Sequence, residues 1–124
     1  MWIFTENGYL SIVADPSSAK RVIVRAHREE HIDHFIPNAK VFMLSNSEMS
    51  ESLFGPDDYR YQATISRNEL NTAIANLTEQ IKIGTFQDRI VEPLFYDICN
   101  KIRRVLFRLN KSIPQRFFND EDLH

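Results

Sequence analysis

Tyr59-Arg60-Tyr61-Gln62-Ala63-Thr64-Ile65-Ser66 runs directly into Arg67-Asn68-Glu69-Leu70-Asn71-Thr72-Ala73-Ile74-Ala75-Asn76-Leu77, and this junction decides the fold. Tyr59, Tyr61, Ala63 and Ile65 alternate with Arg60, Gln62, Thr64 and Ser66. A period of two is that of a strand with one buried and one wet face. Leu70, Ala73, Ile74, Leu77 and Ile81 then recur every three or four residues, an apolar stripe along a helix. Ser66 and Glu69 mark the change of period. The Ser66 hydroxyl can accept from the Glu69 amide while the Glu69 carboxylate accepts from the Ser66 amide. Such a capping box is worth about 1 kcal/mol. Gly84 is expected to end the helix in a left-handed conformation. A strand followed by a helix that must cover a sheet predicts a two-layer α+β fold.

Upstream, Trp2 to Phe4 and Tyr9 to Val13 read as strands. Asn7-Gly8 between them predicts a type I′ hairpin turn. Asp15-Pro16-Ser17-Ser18 is a second turn. A third strand is expected over Arg21 to Ala26, then a short helix over Arg28 to Ile36 that Pro37 stops. A fourth strand spans Val41 to Leu44. The polar, acidic segment from Ser45 to Asp58 reads as a loop or insertion. Downstream, a long helix should start near Pro93 and reach about Lys111, with Leu94, Phe95, Ile98, Ile102, Val105, Leu106 and Leu109 as its buried stripe. Pro114 would end it, Phe117 and Phe118 would dock back, and Asn119 to His124 would form an acidic tail. In order this is an antiparallel sheet of about five strands with helices on one face. Arg21 to Gly84 supplies a ferredoxin-like β-α-β-β-α unit, with the N-terminal hairpin extending it or replacing its missing strand. A meander of five strands is the alternative.

Composition sets the outer bounds. A chain of 124 residues with 43% hydrophobic and 26% charged residues is expected to form one α+β domain over 1–118. The formal net charge of -2 neither favours nor excludes nucleic acid. The single cysteine, Cys99, precludes an internal disulfide and fits a reducing compartment. The first residues carry no basic region or long apolar run, so no signal peptide is expected. With no long apolar segment, no membrane association is expected either, and the expected location is the cytoplasm.

The opening Met1-Trp2-Ile3-Phe4-Thr5, followed by Gly8-Tyr9-Leu10-Ser11-Ile12-Val13, resembles a family of small uncharacterised bacterial proteins. The likeness continues in Val22-Ile23-Val24-Arg25-Ala26, in Tyr59-Arg60-Tyr61, in Arg67-Asn68-Glu69 and in Ala73 to Leu77. It implies a compact α+β domain of bacterial or phage type and no particular chemistry.

His27, His31 and His34 are the candidate metal ligands, because positions four and three apart lie along one helical face. A histidine-rich wet helix face is the ordinary explanation. Lys101, Arg104, Arg108 and Lys111 share a stripe beside the apolar one and form the candidate partner or phosphate surface. Late basic residues also simply complement the helix dipole. Cys99, next to Ile98, is expected to be half exposed. No nucleophile motif is present, three glycines leave little room for a phosphate loop, and no cofactor is expected. Trp2, Phe4, Tyr9, Tyr59, Tyr61, Phe86, Phe107, Phe117 and Phe118 are a surplus of rings for two layers, which suggests a self-association patch; the ordinary explanation is that the last helix and its phenylalanines cover the sheet.

The leading expectation is a non-catalytic protein-interaction or regulatory module, with homodimerisation at a sheet edge as one form. An inhibitor of a host complex, encoded by a phage or mobile element, is a concrete version. Nucleic-acid binding through the basic helix and a metal sensor or enzyme built on the histidines are the alternatives.

Overall fold

A computed structural model describes residues 1–52 and 58–110. The chain forms two compact units, Met1–Ile83 and Gly84–His124. The first holds a five-stranded, wholly antiparallel sheet: β1 (Trp2–Thr5), β2 (Gly8–Asp15), β3 (Ser18–Ala26), β4 (Phe42–Met43) and β5 (Tyr61–Ser66), in the order β1-β2-β3-β5-β4. Helix α1 (Glu29–Phe35) connects β3 to β4, and β5 lies between them. This is the split β-α-β of a ferredoxin-like unit. The strand β2 stands beside β3, where the fourth strand of such a unit would run, so the N-terminal hairpin replaces the missing strand.

One face of the sheet is dry. Leu10, Ile12, Val22, Val24, Ala26, Ala63 and Ile65 alternate along β2, β3 and β5 and pack with Ile32 and Phe35 of α1 and Leu70 and Ala73 of α3 (Arg67–Glu79). Period-two strands present one whole set of side chains to the helices, and the residues between them turn to the other face. The Ser66–Glu69 capping box is present, with 3.0 and 3.3 Å bonds. The helix stops at Gln80, earlier than expected, and Ile81 is exposed. Gly84 has φ +118° but lies beyond the helix end, at the start of the second unit.

The N-terminal hairpin forms with a different turn. Thr5 pairs with Gly8, so Glu6 and Asn7 make the loop, and among the described residues no non-glycine has a positive φ. A type I′ turn is therefore absent. Thr5 Oγ1 accepts from the Asn7 amide at 3.1 Å and ties the loop instead. The Asp15 carboxylate accepts from the Ser17 amide at 2.9 Å and holds the next turn, which leads into a strand beginning at Ser18 rather than Arg21.

The segment after Leu44 is not simply a loop. A second capping box, Ser45 with Glu48, starts α2 (Asn46–Glu51), whose Met49 is buried. Residues 53–57 of that segment lie outside the described residues, as do Lys111, Pro114, Phe117, Phe118 and the acidic tail.

In the second unit, α4 (Pro93–Leu106) begins at Glu92, whose carboxylate caps the amides of Leu94 and Phe95. A 3-10 turn over Phe107–Asn110 follows. The buried residues of α4 are Phe95 and Cys99, while Leu94, Ile98, Val105, Leu106 and Leu109 of the expected stripe are exposed. Cys99 is thus buried rather than half exposed, and burial raises its thiol pKa. An unreactive neutral thiol follows.

Candidate functional site

The face of the sheet turned away from α1 and α3 carries a continuous run of rings. Its geometry follows from register. Trp2 stands opposite Ser11, Phe4 opposite Tyr9, and Ser11 opposite Arg25, so all five share one face. Tyr9 is the hub. Its ring stacks on Phe4 at 4.6 Å and meets the edge of Trp2 at 6.0 Å. The Tyr9 hydroxyl is 2.6 Å from that of Tyr59, just before β5. Tyr59 in turn stacks on His27 at 4.5 Å and lies 4.8 Å from the guanidinium carbon of Arg25.

Arg25 is fixed from several sides. It donates to the Ser11 hydroxyl at 2.8 Å, while its Nε is buried without a hydrogen-bond partner among the described residues. Holding that group costs free energy that the Tyr59 ring partly offsets through a cation–π contact. Burial and the bond to Tyr59 push the Tyr9 phenol well above its ordinary pKa, so it stays protonated. These contacts pre-set the inner rings. Trp2 is 71% exposed and Phe4 37% exposed, so the outer rings present their area to solvent.

The three candidate ligand histidines go to three different places. His27 precedes α1 and belongs to the ring cluster. His31 turns onto β2, where its Nδ1 accepts from the Tyr9 amide at 3.3 Å. That amide needs a partner because β3 ends at Ala26, before reaching Tyr9. The His31 ring occupies the space a Cβ would take at Gly8, where even the His31 Cβ would stand at 2.8 Å. Burial lowers the His31 pKa, and the bond to Tyr9 fixes Nδ1 as the acceptor of a neutral imidazole. His34 is exposed. Among the described residues no group of three His, Cys, Asp or Glu side chains is placed to hold a metal.

Lys101, Arg104 and Arg108 are exposed in the second unit, and Lys101 pairs with Asp97 at 3.0 Å. Lys111, the fourth member of the basic stripe, lies outside the described residues.

The sequence flagged the ring surplus and its chief members but not their meeting point. Arg25, Ser11 and His27 carried no ring-cluster signal at all. The available sign was the alternation itself, because Trp2 and Phe4, then Tyr9 and Ser11, each fall on one parity. Tyr59 breaks the parity of its own stretch. It precedes the strand and joins the aromatic face instead of the core.

No protein-family model, curated protein or solved structure matches the chain. Among the described residues no helix is long and apolar enough to cross a membrane.

Proposed function

We propose that the protein is a small non-catalytic interaction module that takes a protein partner on the Trp2–Phe4–Tyr9–Arg25–Tyr59 face. One observation carries this reading: exposed Trp2 and Phe4 are backed by rings and an arginine already locked in place. Trp, Tyr and Arg dominate the binding energy of protein interfaces, and pre-ordered side chains lose less entropy on binding. The Tyr9 and Tyr59 hydroxyls engage each other and Arg25 donates to Ser11, which suits recognition better than proton transfer. A chain of this size that acts by occupying a surface suits an inhibitor of a larger host complex, including one encoded by a phage or mobile element.

The test is capture of partners from host extract, with nuclease, by the wild type and two variants. A discrete partner should be retained by Arg104→Glu/Arg108→Glu and lost by Trp2→Ala/Phe4→Ala. The reverse pattern would move the surface to α4.

Single-stranded nucleic acid is a second reading, favoured by the stacked ring faces of the first unit. Bases stack on such rings with little regard to sequence. It predicts binding to labelled single strands that weakens steeply with salt. No salt-sensitive binding ends it.

A further inference from the structure

The strand β1 lies at one end of the sheet, and its far side has no strand partner among the described residues. The register fixes which of its main-chain groups face outward. Met1 and Ile12 exchange both of their hydrogen bonds, at 2.8 Å each. In an antiparallel ladder such pairs alternate with pairs that bond away from each other. Ile3 opposite Leu10 and Thr5 opposite Gly8 therefore bond inward, whereas the N–H and C=O of Trp2 and Phe4 point to the free edge. Trp2 and Phe4 are also the residues whose rings are exposed on the aromatic face.

We infer that β1 pairs with the β1 of a second copy in antiparallel register about Ile3, joining two five-stranded sheets through Trp2 and Phe4. This register alone sets both outward-facing residues of one β1 against both of the other. Trp2 of one copy stands opposite Phe4 of the other, and the two exchange both main-chain bonds. The twofold axis repeats that pair, giving four hydrogen bonds. Directly opposed residues share a face, so the Trp2 ring lies beside the partner ring of Phe4 and the aromatic row crosses the junction. Ile3 meets its own copy on the opposite face. The strand is short, but Trp2-Ile3-Phe4-Thr5 has no charge, no proline and no bulge to keep another edge away. The other end of the sheet differs. There β4 is two residues long and Lys40 sits over Phe42.

Four residues per copy fall far short of the roughly 20–30 a side of a standard interface. The dimer is therefore weak and concentration-dependent. This edge pairing stands independently of the foreign partner proposed above, since a sheet can pair at its edge whether or not its face is occupied.

Sedimentation of the full chain from about 5 µM to about 1 mM should show monomer passing to dimer. Amide exchange on the wild type locates the contact without any substitution. Trp2 and Phe4 amides should exchange quickly in dilute protein and at least several-fold more slowly in concentrated protein. Ile3 and Thr5 amides should be protected at both. Register is tested by charge. Trp2→Lys/Phe4→Lys opposes like charges twice across the axis, whereas Trp2→Glu/Phe4→Lys opposes unlike charges twice. The second should dimerise at least tenfold more tightly than the first. A monomer throughout the range overturns the inference. So do exchange at Trp2 and Phe4 that ignores concentration, protection confined to Phe42 and Met43, and equal association of the two charged variants.

Discussion

The two faces of the sheet are built from the same strands and obey opposite rules. The face under α1 and α3 is aliphatic, and Val24, Ala26, Ile32 and Ala63 have no exposure. Its members are interchangeable in kind, since burial of aliphatic area is non-directional. The other face is aromatic and directional. Tyr9 meets Tyr59 through one hydroxyl, Arg25 meets Ser11 through one nitrogen, and His27 stacks on Tyr59. The first face sets stability, and the second is the one proposed above to carry recognition. Substitutions should therefore sort by face.

The largest effects belong to the dry face. Ile32→Ala deletes a fully buried side chain between α1 and the sheet and should cost about 2–5 kcal/mol in urea unfolding. A loss under 1 kcal/mol would mean that α1 is not held by this contact. Gly8→Ala strikes where the two faces meet at the start of β2. The new methyl overlaps the His31 ring, and the backbone, at φ +152°, is one that L side chains rarely adopt. Strain and displacement together should cost about 2–4 kcal/mol. The His31→Ala background should recover part of that loss, because the ring is then gone.

The same contrast explains what was legible in the sequence. Local rules were readable: the Ser66–Glu69 box, the alternation through β5 and the stripe of Leu70 and Ala73 all stand in the structure. The identical Ser45–Glu48 pattern was hidden by polar surroundings, since α2 buries only Met49 and shows no stripe. Helix α4 shows the limit of period alone. Leu94, Ile98 and Val105 make as good a stripe as Phe95, Cys99 and Ile102, and only tertiary packing chooses between them. The glycine at position 8 signals a turn, yet its missing side chain also leaves space for a histidine 23 residues later. The aromatic face gathers residues from the N-terminal hairpin, the end of β3 and the start of β5. Tyr9 and Tyr59 are 50 positions apart, a separation that no local pattern encodes.

His31 links the faces and makes stability depend on pH. Its pKa is lowered in the folded protein, chiefly by burial, while Arg28 and His27 oppose its charge and Glu30 favours it. The neutral ring is therefore the folded form. Its contribution is fully present above the unfolded value of about 6.5 and is lost as pH falls below it through the depressed folded pKa. Unfolding midpoints should drop as pH falls below about 6.5. The drop should be smaller in His31→Gln, whose amide oxygen can accept from Tyr9 without titrating. The lowered carboxyl pKa values of Asp15 and Glu48 act in the same direction, but at more acidic pH. A profile unchanged by His31→Gln would assign the slope elsewhere.

Trp2→Ala should give the smallest stability change and the sharpest separation of the faces. The ring is mostly in water, and its contact with Tyr9 is an edge contact at 6.0 Å. Exposed substitutions of this kind usually fall within about 0.5 kcal/mol. The main-chain ladder of β1 is untouched, so the hairpin should persist. Tyr9 and Tyr59 should also hold each other as before, because neither of their hydroxyls depends on Trp2. Unfolding close to wild type, together with loss of the captured partner, would place recognition on the aromatic face without help from stability. A loss of more than about 1.5 kcal/mol, well outside that surface range, would instead make Trp2 a structural residue. The contrast between the two faces would then fail at its most exposed point.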